Sequence, residues 1–147
     1  MFFSIITINR NNAKGLEDTI QSVLSQDRNL YEFIIIDGAS SDNSLEVIKK
    51  YESQIHYYIS EPDTGIYNAM NKGILKAHGS FLNFMNSGDT FVTSTTIERL
   101  IERYEKGDKI IYGNILKCYD RRKERTSGIV SSHPDIIDFY KNMINHQ

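Results

Sequence analysis

The fold class is decided by the stretch Glu32-Phe33-Ile34-Ile35-Ile36-Asp37-Gly38-Ala39-Ser40-Ser41-Asp42. A β-branched and aromatic run, which is typical of a buried strand, stops abruptly at the acid of Asp37. A small polar turn follows, and Ser41 or Asp42 can cap a helix. In open α/β sheets, ligands bind just beyond the carboxyl ends of the strands. The stretch therefore predicts an α/β fold together with a site at Asp37.

Strands and helices alternate on both sides of this stretch. Apolar runs and turn residues predict strands over residues 2–8, 31–37, 56–60, 80–85, 109–112 and 115–119. Helices are predicted over 13–26, from 41 or 42 to about 51, over 66–77, from 94 or 95 to about 104, and over 134–145. Asn11 or Asn12 is expected to cap the first helix, and Gly79 to end the third. This order requires a mainly parallel sheet, mixed at one edge, with helices on both faces.

Composition bounds the class of protein. The chain has 147 residues, 39% hydrophobic and 24% charged, which predicts one globular domain spanning 1–147. A formal charge of -2 disfavours a nucleic-acid-binding protein. The single cysteine, Cys118, excludes an intrachain disulfide and is interpreted as a structural thiol. No apolar run is long enough to span a membrane, and the N-terminus does not resemble a signal peptide, so a cytoplasmic protein is expected.

Polar side chains end two of the predicted strands at one edge of the sheet. Thr7, Asn9 and Arg10 lie at the end of the first strand, and Asp37 ends the second. Two adjacent parallel strands that end in polar residues form a crevice of nucleotide size. The alternative role for Asp37 is a helix-cap or turn acid, and for Asp42 the helix cap is the favoured interpretation.

A second acid, Asp89, ends the polar turn after the fourth predicted strand. One carboxylate together with diphosphate oxygens can hold Mg²⁺ or Mn²⁺, and the alternative is an ordinary Gly-Asp turn. The sequence lacks a Gly-x-Gly-x-x-Gly fingerprint after either strand and lacks a Gly-x-x-x-x-Gly-Lys-Ser/Thr loop. These absences disfavour a dinucleotide-binding Rossmann domain and exclude a P-loop enzyme.

Five stretches, taken in order, resemble the N-terminal half of family 2 glycosyltransferases, which have the GT-A fold. Residues 4–11 resemble the family's opening strand, and 19–26 its first helix with the Ser-Val/Ile-x-x-Gln pattern. Residues 32–42 resemble the Asp-Asp-Gly-Ser-x-Asp strand end, and 79–89 the strand that leads to the metal motif. Residues 61–74 are similar to a subgroup that builds bacterial surface polysaccharides. The resemblance covers nearly the whole chain.

The resemblance implies transfer of a sugar from a UDP- or GDP-linked donor to the hydroxyl of a saccharide or lipid-linked saccharide acceptor. It places the base against Thr7 and Asn9, and the base or ribose against Asp37. It implies a divalent cation at Asp89. It places four further residues near the donor's phosphates or sugar: Asp63, Gly65, Asn71 and Lys72.

Two positions depart from the family pattern. Gly38 stands where many members have a second Asp, and the turn over 86–89 keeps only the final acid of a more acidic cluster.

The resemblance also bears on whether the chain contains the whole catalytic site. Inverting members use a carboxylate as general base to deprotonate the acceptor, and this base is expected beyond Gln147. His146-Gln147 resembles a pair near the acceptor side, and the chain is expected to be truncated. We therefore predict an inverting glycosyltransferase, or its donor-binding portion, located in the cytoplasm or at the inner face of the membrane. Two alternatives remain open, a fragment that binds nucleotide sugar without transferring it and a nucleotidyltransferase.

Overall fold

A computed structural model of the chain describes residues 2–104, 115–117 and 128–130. The chain divides into two compact units, Met1–Arg99 and Leu100–Gln147. None of the helices within the described ranges is long and apolar enough to cross a membrane. The expectation of a single domain over 1–147 stays a prediction.

The first unit is built on a four-stranded sheet whose strands are all parallel. The strands are β1 (Phe3–Asn9), β2 (Tyr31–Asp37), β3 (Tyr57–Ser60) and β4 (Phe81–Phe84), arranged in the order β3-β2-β1-β4. All residues of β1 and β2 are buried. The predicted α/β fold with a mainly parallel sheet is confirmed.

Helices α1 (Ala13–Leu24) and α3 (Ile66–Ile74) pack on opposite faces of this sheet. The described residues also form α2 (Ser44–Lys50) and α4 (Thr96–Glu102). On one face the Tyr31 hydroxyl donates to the Val23 carbonyl of α1 at 2.8 Å. On the other face, a Cβ at Gly73 of α3 would collide with Ile6. Side chains of β1 and β2 are therefore enclosed from both sides, as parallel sheets require.

The helix starts follow the predicted capping chemistry in part. The Asn12 side chain caps α1 by accepting from the Gly15 amide at 3.1 Å, as expected. Asp42 accepts from the Ala13 amide at 2.9 Å and from the Ser44 amide at 3.0 Å. One carboxylate thus accepts from amides at the starts of two helices. The residue at the N-cap of α2 is Asn43, whose side chain makes no capping hydrogen bond, so the expected cap at Ser41 or Asp42 is wrong in position.

The expected end of the third helix is wrong. The α3 helix ends at Ile74 rather than Ala77, and Gly79 does not have the positive φ of a C-terminal glycine cap. A Cβ at Gly79 would lie 2.6 Å from the Phe3 carbonyl carbon and 2.6 Å from the Ser4 nitrogen. Gly79 is needed because the chain passes directly over the backbone of β1.

Next to Gly79, a buried acid occupies the N-terminal edge of the sheet. The Glu32 side chain is 6% exposed and accepts hydrogen bonds from the Ser4 hydroxyl at 2.6 Å, the Gly79 amide at 3.1 Å and the His78 amide. Burial opposes ionisation, but these hydrogen bonds outweigh it and lower the pKa of Glu32. This cluster, residues Ser4, Glu32, His78 and Gly79, ties β1, β2 and the chain after α3 together.

In the second unit, strand β5 (Ile115–Lys117) pairs antiparallel with β6 (Gly128–Val130). The sequence predicted β5 within 115–119 and missed β6. The predicted strand over 109–112, the turn over 120–123, the helix over 134–145, Cys118 and the His146-Gln147 pair lie outside the described residues.

Candidate functional site

Three neighbouring strands end in polar residues at the carboxyl edge of the sheet. Asn9 of β1 lies in register with Asp37 of β2, and Asp37 lies in register with Ser60 of β3. Backbone hydrogen bonds between the neighbouring strands continue one residue past these ends. The Gly38 amide donates to the Asn9 carbonyl at 2.9 Å, and the Glu61 amide donates to the Asp37 carbonyl at 3.0 Å. The predicted clustering of Asn9 and Asp37 is therefore present, and Ser60 joins it.

Asp37 is the centre of this edge, and it is completely buried. Its Oδ1 accepts from Asn9 Nδ2 at 2.8 Å and from the Ser40 hydroxyl at 2.6 Å. Its Oδ2 accepts from the Ser40 amide at 3.0 Å and from the Ser60 hydroxyl at 2.6 Å. Both oxygens are saturated from within the chain, so Asp37 holds the β1, β2 and β3 ends in one arrangement.

These contacts determine the charge state of Asp37. Burial alone would favour the neutral acid, but the hydrogen bonds donated by Ser40, Ser60 and Asn9 outweigh that effect and lower the pKa of Asp37. The site therefore contains a buried, ionised carboxylate at neutral pH. Direct contact of Asp37 with a base or ribose stays a prediction.

The loops after β1 and β2 are linked to each other. The Asn11 amide donates to the Ser40 hydroxyl at 2.8 Å, and the Ser41 amide donates to Asn11 Oδ1 at 2.7 Å. Both loops contain a residue in the left-handed region, Asn11 at φ 51 and Ala39 at φ 53. A left-handed alanine is strained, so the surrounding contacts hold this turn in place.

Two predicted base-site residues have unpaired polar atoms. Thr7 is completely buried and Asn9 is 5% exposed. Thr7 Oγ1 and Asn9 Oδ1 have no hydrogen-bond partner among the described residues. An unpaired buried polar atom is unfavourable by about 1–3 kcal/mol, so each is suited to accept a hydrogen bond from a ligand or a water.

The loop between β3 and α3 brings a second acid to the same edge. Asp63 Oδ1 accepts from the Gly65 amide at 2.9 Å and lies 4.0 Å from the Arg10 guanidinium. Its Oδ2 occupies the space into which a side chain at Gly38 would project, because a Cβ there would collide with it. Gly38, which departs from the family pattern, thus makes room for Asp63. Sequence reasoning did not find this contact, since the two residues lie in different loops.

Lys72 holds the same loop from the side of α3. Its Nζ donates to the Pro62 carbonyl at 2.9 Å and lies 2.8 Å from the Glu61 carboxylate. Gly65 precedes α3 with φ 125 and ψ 176, and no side chain caps the helix there. Asn71 is exposed on α3. The structure therefore joins Lys72 to the loop that carries Asp63 and Gly65.

Asp89 lies in the turn after β4, the strand that pairs with β1 on the side opposite β2. It is exposed, and its Oδ2 accepts from the Asn86 amide at 3.1 Å. The described residues contain no group of three His, Cys, Asp or Glu side chains that could hold a metal ion. A protein-only metal cage is thus absent from this part of the chain. One exposed carboxylate fits the other mode, in which Mg²⁺ or Mn²⁺ is held jointly by the protein and substrate phosphates.

The parallel sheet with polar strand ends belongs to an α/β fold, and its likeness to solved structures, given below, makes it a fold of the GT-A type. The sequence matches the family described as Glycosyl transferase family 2 over residues 4–146. The chain belongs to this family, and the resemblance seen in the sequence is confirmed.

Known proteins agree with this assignment. The uncharacterized glycosyltransferase Rv1514c of Mycobacterium tuberculosis is 40% identical over 100 residues, which are 67% of this chain and 38% of that protein. Among solved structures, S. aureus TarS with UDP-GlcNAc has a TM-score of 0.62 at 23% identity, over 69% of this chain and 30% of TarS. The mannosyltransferase PcManGT of Pyrobaculum calidifontis, with GDP-Man and Mn²⁺, has a TM-score of 0.63 at 18% identity, over 68% of this chain and 31% of that one. These likenesses show the fold, and the chain spans well under half the length of each.

Proposed function

We propose that the chain is the donor-binding part of an inverting glycosyltransferase that uses a nucleoside diphosphate sugar. The observation that carries the proposal is the carboxyl edge itself, where buried Asp37 fixes three strand ends and leaves Asn9 Oδ1 without a partner among the described residues. Membership of the family and the bound UDP-GlcNAc and GDP-Man of the two structural neighbours support it.

The base and ribose are proposed to lie at Thr7 and Asn9. The Thr7 hydroxyl can donate or accept, and Asn9 Oδ1 can accept from a base N–H or a ribose hydroxyl. Asp37 orients the Asn9 amide, because it accepts from Nδ2 and thereby turns Oδ1 away from itself. Asp37 could contact the nucleotide directly only if a base or ribose group replaced one of the four groups that now donate hydrogen bonds to it.

The diphosphate and sugar are proposed to lie near the start of α3, with Asp63, Gly65, Asn71 and Lys72. Uncapped amides at a helix start attract phosphate, and the Lys72 ammonium, which pairs with Glu61 in this structure, holds the loop beside them. A divalent cation held by Asp89 would neutralise charge on the departing diphosphate, and the Mn²⁺ bound to PcManGT supports this role.

The transfer step follows from the proposed donor pose. An acceptor hydroxyl attacks the anomeric carbon, the bond from that carbon to the diphosphate breaks, and the configuration inverts. The acceptor proton passes to a general base that we assign to none of the described residues. Residues 61–74 favour an acceptor in cell-surface polysaccharide synthesis, either a saccharide or a lipid-linked saccharide. We place the protein in the cytoplasm, and a lipid-linked acceptor would bring it to the inner face of the membrane.

Thermal unfolding of the 147-residue chain tests donor binding. A ligand at 100 times its dissociation constant stabilises the folded state by about 2.7 kcal/mol, which raises Tm by about 5–10 °C in a chain of this size. UDP or GDP with Mn²⁺ should produce this shift. Asn9→Ala and Asp89→Ala should reduce it, and Asp27→Asn, in an exposed turn at the N-terminal edge, should not.

The outcomes separate the alternatives. No shift with any nucleoside diphosphate would remove the proposal. A shift without sugar transfer to any acceptor and without slow donor hydrolysis would identify the chain as a donor-binding unit that does not catalyse transfer by itself.

A further inference from the structure

Four polar side chains line one side of α1 and its two ends, and all of them point to the same segment of the chain. They are Asn12, Thr19, Ser22 and Gln26, which we call the α1 stripe. Spacings of seven, three and four residues place them on one helix face. Thr19 and Gln26 are buried, at 0% and 3% exposure. Asn12 is exposed and Ser22 is half-buried, so it is Thr19 and Gln26 whose buried polar atoms require hydrogen-bond partners.

The partners of the N-terminal half of the stripe are backbone groups of the turn that carries Asp89. Asn12 Nδ2 donates to the Ser87 carbonyl at 2.9 Å. The Thr19 hydroxyl accepts from the Gly88 amide at 2.9 Å. Its one proton has two acceptors in good range, the Asp89 carbonyl at 2.8 Å and the Gly15 carbonyl of its own helix at 3.1 Å, and the shorter distance favours Asp89. The Asp89 backbone is therefore contacted by a side chain that lies 70 residues earlier in the sequence.

The C-terminal half of the stripe binds the chain that follows. Ser22 Oγ accepts from the Phe91 amide at 2.6 Å. The Gln26 amide donates to the Thr93 carbonyl at 2.7 Å and accepts from the Ile97 amide at 3.2 Å. The segment from 86 to 95 has no regular secondary structure. Side chains of α1 thus satisfy backbone groups that a strand or helix would otherwise pair internally.

The helix backbone takes part as well. The Gly88 amide also donates to the Gly15 carbonyl at 3.1 Å. A Cβ at Gly15 would collide with the Asn12 amide, so glycine at this position allows Asn12 to reach both the start of α1 and Ser87. Asn12, Gly15 and Thr19 form one support beneath the turn.

We propose that the α1 stripe positions Asp89 for its cation and donor diphosphate, with Thr19 as the principal positioning residue. This inference rests on the proposed function. It also assigns a physical purpose to the Ser-Val/Ile-x-x-Gln pattern of residues 22–26, whose polar members contact the backbone after Asp89 and whose apolar member, Val23, is in the core.

The test compares Thr19→Val, which removes the hydroxyl at nearly constant volume, with Thr19→Ser, which retains it. The matched control is Gln21→Ala, on an exposed side of the same helix. UDP and GDP affinity is measured with and without Mn²⁺ on the full chain. Thr19→Val should weaken binding in Mn²⁺ by about tenfold and leave metal-free binding unchanged, while Thr19→Ser and Gln21→Ala should behave like the wild type.

Amide hydrogen exchange gives a second readout that needs no ligand. Ser22→Ala keeps the Thr19 contacts but removes the acceptor of the Phe91 amide, two residues after Asp89. It should speed exchange at the Phe91 amide without changing exchange in β1 and β2. It also serves as the test if Thr19→Val does not fold, because loosening the backbone after Asp89 should lower nucleotide affinity in Mn²⁺ about threefold.

The results separate the inference from the function on which it rests. An equal Mn²⁺ effect in Thr19→Val and wild type would overturn the positioning role and leave donor binding intact. Unchanged exchange at Phe91 in Ser22→Ala would overturn the stripe as a support. A wild-type chain that binds no nucleoside diphosphate would overturn the proposed function and, with it, the role at Asp89.

Discussion

Replacing Asp37 by asparagine tests whether the buried carboxylate holds the carboxyl edge together. The carboxylate accepts four hydrogen bonds, two at each oxygen. The asparagine side chain would keep one oxygen and turn an NH₂ group toward two existing donors. A hydrogen bond to a charged group contributes about 1.5–3 kcal/mol. Losing two, with the serine hydroxyls free to rotate, should lower the free energy of unfolding by about 3 kcal/mol, a large share of the roughly 5–15 kcal/mol typical of a domain.

Urea unfolding at pH 7, followed by circular dichroism, measures this loss. Asp27→Asn is the matched control, because Asp27 is exposed and its Oδ1, which accepts from the Asn29 amide, has an equivalent in asparagine. The control should change the free energy of unfolding by no more than about 0.5 kcal/mol. A loss below about 1 kcal/mol for Asp37→Asn would refute the role given to the Asp37 hydrogen bonds.

The stability difference between wild type and Asp37→Asn should also depend on pH. Folding lowers the pKa of Asp37, so its contribution is fully present above the ordinary aspartate pKa of about 3.9 and is lost as the pH falls through the lowered value. The difference in unfolding free energy between wild type and Asp37→Asn should be constant from about pH 7 to 5 and shrink below about pH 4. Contributions from Glu17, Glu32 and Asp42, whose pKa values are also lowered, are common to both proteins and cancel. A difference that does not shrink by about pH 2 would contradict an ionised Asp37.

Three further substitutions probe the glycine contact, the strained turn and the opposite edge, each by urea unfolding. Gly38→Ala should destabilise by about 1–3 kcal/mol because its Cβ meets Asp63, and Asp63→Gly in the same chain should recover most of that loss; additive effects would exclude the contact. Ala39→Gly should leave stability unchanged or raise it by up to about 1 kcal/mol, because glycine tolerates the φ of 53 at this position. The control Ala69→Gly, within α3, should lower stability, and equal losses in the two variants would refute strain at Ala39. Glu32→Gln should destabilise by about 2 kcal/mol and leave nucleotide affinity unchanged, and a loss of affinity would contradict a site confined to the carboxyl edge.

Much of the fold could be predicted from local patterns. The apolar run ending at Asp37 predicted β2, and the asparagine before Ala13 predicted the start of α1, because strand burial and helix capping depend on neighbouring residues. Gly79 was misread as a helix end, because its need for glycine comes from β1, far away in the sequence.

The site was predictable as a location more than as a set of contacts. Thr7, Asn9 and Asp37 follow from the rule for parallel strand ends. The full set of hydrogen bonds to Asp37 depends on the register of β3, which brings Ser60 opposite it. The position of the Asp63 carboxylate depends on the absence of a side chain at Gly38. Register and close approach between loops are tertiary properties that no local sequence pattern encodes.

The most direct test of the central claim is a nuclear magnetic resonance titration of the full chain with UDP or GDP in the presence of Mg²⁺. If the nucleotide binds at the carboxyl edge, we expect amide chemical-shift changes at Asn9, Gly38 and Gly65. We expect none at Glu32 or Gly79, which lie at the opposite edge. Shift changes centred on Glu32 and Gly79, or no changes with either nucleotide, would contradict it.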